Sequence, residues 1–256
     1  MLHLTPSRLR DYLQCPLRYH LRYVAQVAPL APVETPALAF GSSLHAALKA
    51  YHRLGPTAAR RVSPVALLSA NWWRGQYEGP EQEAKYFDEG VAALDQYLRT
   101  VRPPRGERIQ TEVMLTQDMP LNGERTRLRG RVDHLAHAAD GGVLVLDYKT
   151  SARGLGPSEA GLAADLPTFI YYLLGQRTFQ RARRVVVAQL NLRTLDRVEV
   201  HYTPTQQARN EGMLADIACA VQAGPFDPHP SAGCPSCPVR LHCPAFSATR
   251  GFRATG

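Results

Sequence analysis

Long apolar runs are missing from this 256-residue chain. The longest, such as VLVL at 143–146 and VVVA at 185–188, fall far short of the ~20 residues that a membrane-spanning helix needs. No membrane partner is therefore expected. Cysteine is scarce, with five residues, too few for a disulfide scaffold. A chain of this size buries enough surface to fold without one. Lysine is scarcer still: Lys49, Lys85 and Lys149 stand against 27 arginines. Genome composition alone can produce that bias, but each lysine is a candidate for a place that needs a compact ammonium rather than a planar fork. No GxxxxGK[ST] loop or GxGxxG fingerprint occurs, so the chain is expected to bind no nucleotide cofactor and to drive no ATPase motor. The N-terminal stretch carries Arg8, Arg10 and Asp11 where a signal peptide needs an apolar core, which predicts a cytoplasmic protein.

What is present is an ordinary globular balance, 45% hydrophobic and 20% charged. The net charge of +8 favours an acidic partner, of which nucleic acid is the commonest. Thr5 and Pro6 suit a helix start, and Leu9, Tyr12, Leu13, Leu17 and Leu21 recur at helical spacing, interrupted by Pro16. Residues 28–39 read as a Pro- and Ala-rich connector. A helix follows FGSS, another spans 64–102, and PPRG at 103–106 breaks the pattern. The period then changes. Residues 108–117 and 126–138 read as strands, Asp140-Gly141-Gly142 as a turn, and 143–150 as a buried strand with a polar end. A helix at 158–180, strands at 185–192 and 197–202, and a helix near 204–222 lead to a Cys- and Pro-rich tail. The expected fold is one α/β domain over 1–256: mainly helical to 107, a core from 108 to 222, and a tail from 223 to 256.

In a cytosolic protein, cysteines point to metal or catalysis. Cys234 and Cys237 have C-x2-C spacing and Cys243 follows. The fourth ligand is to be found among Cys15, Cys219 and His242. Cys15, Cys234, Cys237 and Cys243 are each followed by proline, whereas Cys219 lies in the apolar helical stretch LADIACAV. That selects Cys15, more than two hundred residues from the other three. Four thiolates suit an iron–sulfur cluster or a structural Zn²⁺, and spacing alone does not separate them.

The segment VLVLDYKTS puts Asp147 and Lys149 on one face of a strand end. A turn centred at Gly141 would set Asp133 opposite Lys149 and on the face of Asp147, whereas a half-residue shift would turn it away. Two carboxylates at a sheet rim can hold Mg²⁺ or Mn²⁺, and a lysine beside them can stabilise developing charge. By itself D-x-K is common and is usually a surface ion pair.

GRVDHLA, a glycine turn and VLVLDYKTS resemble motifs II and III of the PD-(D/E)XK nuclease superfamily, in its RecB-like branch. FGSSLHAAL resembles that branch's histidine motif, with His45 at the matching position. DLPTFIYYLL resembles its QLxxY motif but carries Asp165 for Gln and Phe169 for Tyr, with Tyr171 and Tyr172 nearby. SRLRDYLQCPLRYHLRYV resembles the first-cysteine segment of AddB-type subunits and CRISPR-associated adaptation nucleases, which bind a [4Fe–4S] cluster. The resemblance implies a restriction-endonuclease-like core, a central mixed sheet flanked by helices, with a helical N-terminal region and a Cys-rich tail. It implies a Mg²⁺- or Mn²⁺-dependent deoxyribonuclease acting on single-stranded or end-exposed DNA in repair, recombination or CRISPR adaptation, with a helicase or adaptation partner. His45, Asp133, Asp147 and the Tyr148 carbonyl would bind the metal, and Lys149 would act with Asp133 and Asp147 in catalysis. Cys15, Cys234, Cys237 and Cys243 would hold the cluster. Glu112 and Asp165 are auxiliary candidates. Arg127, Arg129 and Arg131 alternate towards Asp133 and are candidate contacts for DNA phosphates. Trp72 and Trp73 are read as core. The rival readings are a non-catalytic DNA-binding iron–sulfur subunit of a helicase–nuclease complex and an electron-transfer protein.

Overall fold

Thr5 and Pro6 start the first helix as the sequence predicts. In the computed structural model, which describes residues 1–30, 35–54, 56–101 and 108–246, α1 spans Pro6–Gln14, with Thr5 Oγ1 accepting from the Arg8 N–H at 3.1 Å. Pro16 divides the expected helix: α2 (Pro16–Tyr19) runs into a π-helical stretch at His20–Val24. The connector at 28–39 lies partly, and the PPRG break wholly, outside the described residues. The same holds for the last ten positions of the tail. α3 (Pro36–His52) starts on Thr35, inside the expected connector and before FGSS, because the Thr35 hydroxyl accepts from the Leu38 N–H at 3.3 Å and Pro36 presets the first turn; a single turn, α4 (Pro56–Ala59), follows.

The long helix expected over 64–102 is two helices, α5 (Pro64–Ser69) and α6 (Pro80–Thr100). Between them Gly75 adopts φ +82°, a conformation no helix tolerates. The helix expected at 158–180 is also divided, into α7 (Glu159–Ala164) and α8 (Leu166–Thr178). Asp165 starts the second helix by accepting from the Thr168 N–H at 2.9 Å, and Pro167 has no N–H to extend the first.

The strands are β1 (Leu2–Leu4), β2 (Arg108–Leu121), β3 (Glu124–His137), β4 (Gly142–Lys149), β5 (Arg184–Asn191) and β6 (Arg197–Val200). They form one mixed sheet in the order β1-β3-β4-β5-β6, with β2 paired to β3. β2 and β3 run farther than expected because Asn122 (φ +51°) and Gly123 (φ +80°) make a tight hairpin turn with both central residues left-handed. β1 was not anticipated: three residues are too few to show a period. The final helix, α9 (Pro204–Ala223), begins with a capping box between Thr203 and Gln206.

Helices cover both faces of the sheet, as the alternation along β4 and β5 requires. Val143, Val145 and Val187 pack with α7, α8 and α9 residues such as Leu162, Phe169, Leu173 and Leu214. Leu146, Tyr148, Ala188 and Leu190 pack on the other face with Phe40, Leu44 and Leu48 of α3 and Leu94 and Tyr97 of α6. No helix among the described residues is long and apolar enough to cross a membrane.

Candidate active site

β3 has different neighbours along one edge. β1 runs parallel to it from Thr126 to Leu128, and β4 runs antiparallel to it from His134 to His137. Between these two pairings the edge is open, and β4 parts from β3 there, staying paired to β5 as far as Lys149, with Asp147 and Lys149 at its end. The other edge of β3 is covered by β2 along its length, save at Asp133. The sheet therefore forks beside Asp133.

The fork is also where alternation fails. Leu128, Val132 and Leu135 of β3 all enter the same core cluster, although an unbroken strand would turn 132 and 135 to opposite faces. On β2, Glu112 has φ +55°, and neither Glu112 nor Asp133 takes part in the ladder that joins Thr111 to His134 and Val113 to Val132. One residue slips on each strand at the same level. The register on either side is kept, and the two carboxylates are released from the pleat. A non-glycine residue held in the left-handed region carries strain that the surroundings must maintain.

The β3–β4 turn is centred on Asp140, since His134 pairs with Leu146 and His137 with Val143. Asp133 thus falls level with Asp147, one step from the Lys149 position expected from a turn at Gly141. Asp133 and Asp147 still come to one rim, where both carboxylates act on His45 and on each other. Beyond the ladder's end the Asp133 side chain takes over as acceptor: Tyr148 N–H donates to its Oδ2 at 2.9 Å. His45 on α3 sits with Nδ1 3.4 Å from Asp133 Oδ1. Ligand atoms of His45, Glu112 and Asp133 lie within 4.8 Å of one another. Lys149 Nζ is 2.5 Å from Asp147 Oδ2. The helix approaches this rim through Gly41, one turn before His45, where a Cβ would stand 3.0 Å from Thr150 Oγ1.

The charges at the rim are unevenly matched. Burial acts to raise Asp133, but His45, the Tyr148 N–H and Lys149 outweigh it and hold the carboxyl below its usual range. Burial raises Asp147 against the pull of Lys149, and the neighbouring Asp133 raises it further. Burial opposes protonation of His45, yet Asp133, Asp147 and Glu112 together raise its pKa. Three carboxylates meet one lysine, one imidazole and Arg131, whose Nε lies 3.1 Å from Glu112 Oε2. The carboxylate oxygens and the imidazole nitrogen of His45, Glu112 and Asp133 are ligand types that could hold a metal ion.

The other candidates are distributed differently. Asp165 spends its carboxylate on Thr168, through both the N–H and the hydroxyl at 2.5 Å. Phe169 is wholly buried in the core. Tyr171 is the residue of α8 that reaches the rim: its hydroxyl donates to the Arg131 carbonyl at 3.2 Å, and burial followed by Asp147 and Asp133 raises its pKa. Gly130 permits this contact, since a Cβ there would meet the Tyr171 ring at 3.0 Å. Arg127 is held by Asp118 at 2.7 and 2.9 Å. Arg129 and Arg131 are exposed. Trp72 is core, stacked on Tyr77 at 5.4 Å, whereas Trp73 is 50% exposed, contrary to its expected burial.

The cysteines meet at a second place. Cys15, Cys234, Cys237 and Cys243 line one cavity of about 820 Å³, with Arg18, His229 and Arg240. Backbone N–H groups donate to two of the sulfurs, from His229 to Cys15 at 3.3 Å and from Ser231 to Cys234 at 3.2 Å. Cys219 is elsewhere, on α9, accepting from Asn122 Nδ2 at 3.0 Å. The tail is also tied to the N-terminal region directly, by Leu17 N–H to the Asp227 carbonyl at 3.3 Å and Leu30 N–H to the Pro238 carbonyl at 2.7 Å.

Among solved structures, that of a protein from Eubacterium rectale provisionally named an exonuclease matches with a TM-score of 0.52 at 12% identity, covering 99% of this chain and 94% of that one. The crystal structure of SSO0001 gives a TM-score of 0.42 at 12% identity, over 95% of this chain and 86% of that one. No curated protein matches the sequence. The family model of the PD-(D/E)XK nuclease superfamily matches residues 3–244, a span that takes in the forked sheet, its carboxylate rim and all five cysteines. The chain belongs to the PD-(D/E)XK nuclease superfamily.

Proposed function

We propose that the protein is a Mg²⁺- or Mn²⁺-dependent deoxyribonuclease of the RecB-like branch, acting on single-stranded or end-exposed DNA. The observation that carries the reading is the meeting of His45, Glu112 and Asp133 within 4.8 Å at the rim where Lys149 contacts Asp147. Asp133, Asp147, His45 and the Tyr148 carbonyl hold the cation, with Glu112 as a further carboxylate. When bound, the cation supplies Lewis-acid activation of water and phosphate. Lys149 keeps a compact positive charge beside Asp147, where it orients the attacking water or stabilises charge building on the phosphate. Arg131 and Arg129, exposed on the adjoining strand, take flanking phosphates. The provisional naming of the Eubacterium rectale neighbour as an exonuclease agrees with work at DNA ends, in repair, recombination or CRISPR adaptation beside a helicase or adaptation partner.

The same reading assigns Cys15, Cys234, Cys237 and Cys243 to a [4Fe–4S] cluster. Sulfurs about 2.3 Å from a single tetrahedral zinc would lie roughly 3.8 Å apart. Among the described residues no three cysteine sulfurs come within 4.8 Å of one another, although four line one cavity. The choice of cluster over zinc rests on the resemblance of the Cys15 segment, and iron and sulfide against zinc content tests it. The test is cleavage of end-labelled single- and double-stranded DNA by anaerobically purified protein, with and without Mn²⁺, beside Asp147→Ala. Cation-dependent cleavage lost in the variant is expected. Equal cleavage by the variant, or none by the wild type with Mn²⁺, would overturn the proposal.

A further inference from the structure

Tyr148 lies between Asp147 and Lys149, and strand alternation turns its side chain to the opposite face of the sheet. It is 4% exposed there, among residues of α3 and α6, and cannot touch a DNA substrate. We propose that Tyr148 is a positioning residue that braces two cation ligands from behind, an inference that rests on the proposed nuclease site.

Three handles support it. The backbone N–H fixes Asp133 through Oδ2 at 2.9 Å. The ring meets the His45 imidazole edge-on, with centroids 5.8 Å apart and planes at 85°. That contact restricts how the imidazole tilts towards Asp133. The hydroxyl is pinned by the Tyr97 hydroxyl at 2.9 Å and by His134 Nδ1 at 3.0 Å, and His52 Nε2 lies 3.0 Å from the Tyr97 hydroxyl.

The anchors belong to the elements that carry the ligands. His134 is the residue after Asp133 on β3. His52 is two turns along α3 from His45. Tyr97 comes from α6, which packs on α3 and on Leu146 and Tyr148 of β4. The chain His52–Tyr97–Tyr148–His134 is satisfied with both imidazoles neutral. One histidine N–H donates to the nearer tyrosine oxygen, each hydroxyl passes its proton along, and the other histidine nitrogen accepts. A buried polar chain of this kind adds little net stability over apolar packing of the same shape. Its use is to fix one position of the Tyr148 ring, and through that ring the direction of His45.

The experiment separates the ring from the hydroxyl. Tyr148→Phe and Tyr148→Leu are compared with wild type in the full chain, at a temperature well below the melting points of all three. The readouts are Mn²⁺ affinity by EPR titration and cleavage of single-stranded DNA. Tyr148→Phe keeps the ring but loses its pin: its Tm falls, and its Mn²⁺ affinity and kcat fall by no more than about threefold. Tyr148→Leu removes the ring: Mn²⁺ affinity and kcat fall about tenfold, while KM for DNA is unchanged because no DNA contact is lost. Leu binding Mn²⁺ as tightly as wild type would overturn the inference, as would Phe losing as much as Leu. A wild-type protein that neither binds Mn²⁺ nor cleaves DNA would instead overturn the site on which the inference stands.

Discussion

Acidification should destabilise this protein before its carboxylates titrate, because two of its histidines are buried and resist protonation. Burial pushes His52 down from 6.5 to about 4. Burial, followed by His52 and Arg197, pushes His134 down to about 3. Above pH 6.5 both rings are neutral in the folded and unfolded chains alike. Below it the unfolded chain takes up protons that the native protein refuses until pH approaches those lowered values. The unfolded state then binds more protons, so stability falls as pH falls. Each depressed pKa unit corresponds to about 1.4 kcal/mol, so at pH 5 each histidine has lost about 2 kcal/mol, or about 4 kcal/mol for the two. His45 works the other way: its raised pKa gives a contribution that is full below 6.5 and lost as pH rises through the folded value. About 4 kcal/mol is therefore an upper figure, still a large share of the ~5–15 kcal/mol of a typical domain. Urea unfolding of the metal-free protein at pH 8, 7, 6 and 5 measures it. The midpoint should drop steadily below pH 6.5 at constant m-value, and His52→Gln should flatten the slope. A midpoint unchanged between pH 8 and pH 5 would refute the neutral, buried network.

Lys149→Ala and Asp147→Ala should reduce DNA cleavage by at least ~100-fold while leaving the fold intact by circular dichroism. Lys149→Arg should be nearly as inactive, because a planar fork does not fit where the ammonium lies 2.5 Å from Asp147; retained activity in that variant would mean that bulk positive charge suffices. Glu112→Gly should weaken Mn²⁺ binding without lowering Tm, since it removes a carboxylate and relieves a left-handed φ of +55°; a large fall in Tm would show that Glu112 is structural. Cys15→Ser should lose iron and lower Tm, whereas Cys219→Ser should keep the iron, judged by iron and sulfide content and absorbance near 400 nm under anaerobic purification. Zinc in place of iron would overturn the cluster, and a requirement for Cys219 rather than Cys15 would overturn the choice of fourth ligand.

Much of this protein was legible in its sequence because the signals are local. Thr5-Pro6 starts a helix by satisfying an orphan N–H group and presetting φ, and neither task needs a tertiary partner; the same device at Thr35-Pro36 was hidden in what reads as a connector. The alternation of VLVLDYK fixed a buried strand with a polar end, and the Cys-Pro pairs singled out the four cysteines that line one cavity. Other features depended on contacts across the sheet. β1 is three residues long and exists because β3 offers it an open edge. The turn centre at Asp140, which sets Asp133 level with Asp147, was decided by the β3–β4 ladder and not by the glycines within the turn. Glu112, already an auxiliary candidate, came to the site through a slip on two strands at the same level, and the pairing that aligns the two slips is non-local. Tyr171, and not Phe169, faces the carboxylates because Gly130 lets α8 approach β3 closely at that point. Residue types declare what chemistry a chain is able to do, but the distances that make it a site arise where non-local strands and helices meet. That meeting is set by packing and register, which sequence periodicity constrains only to within a step.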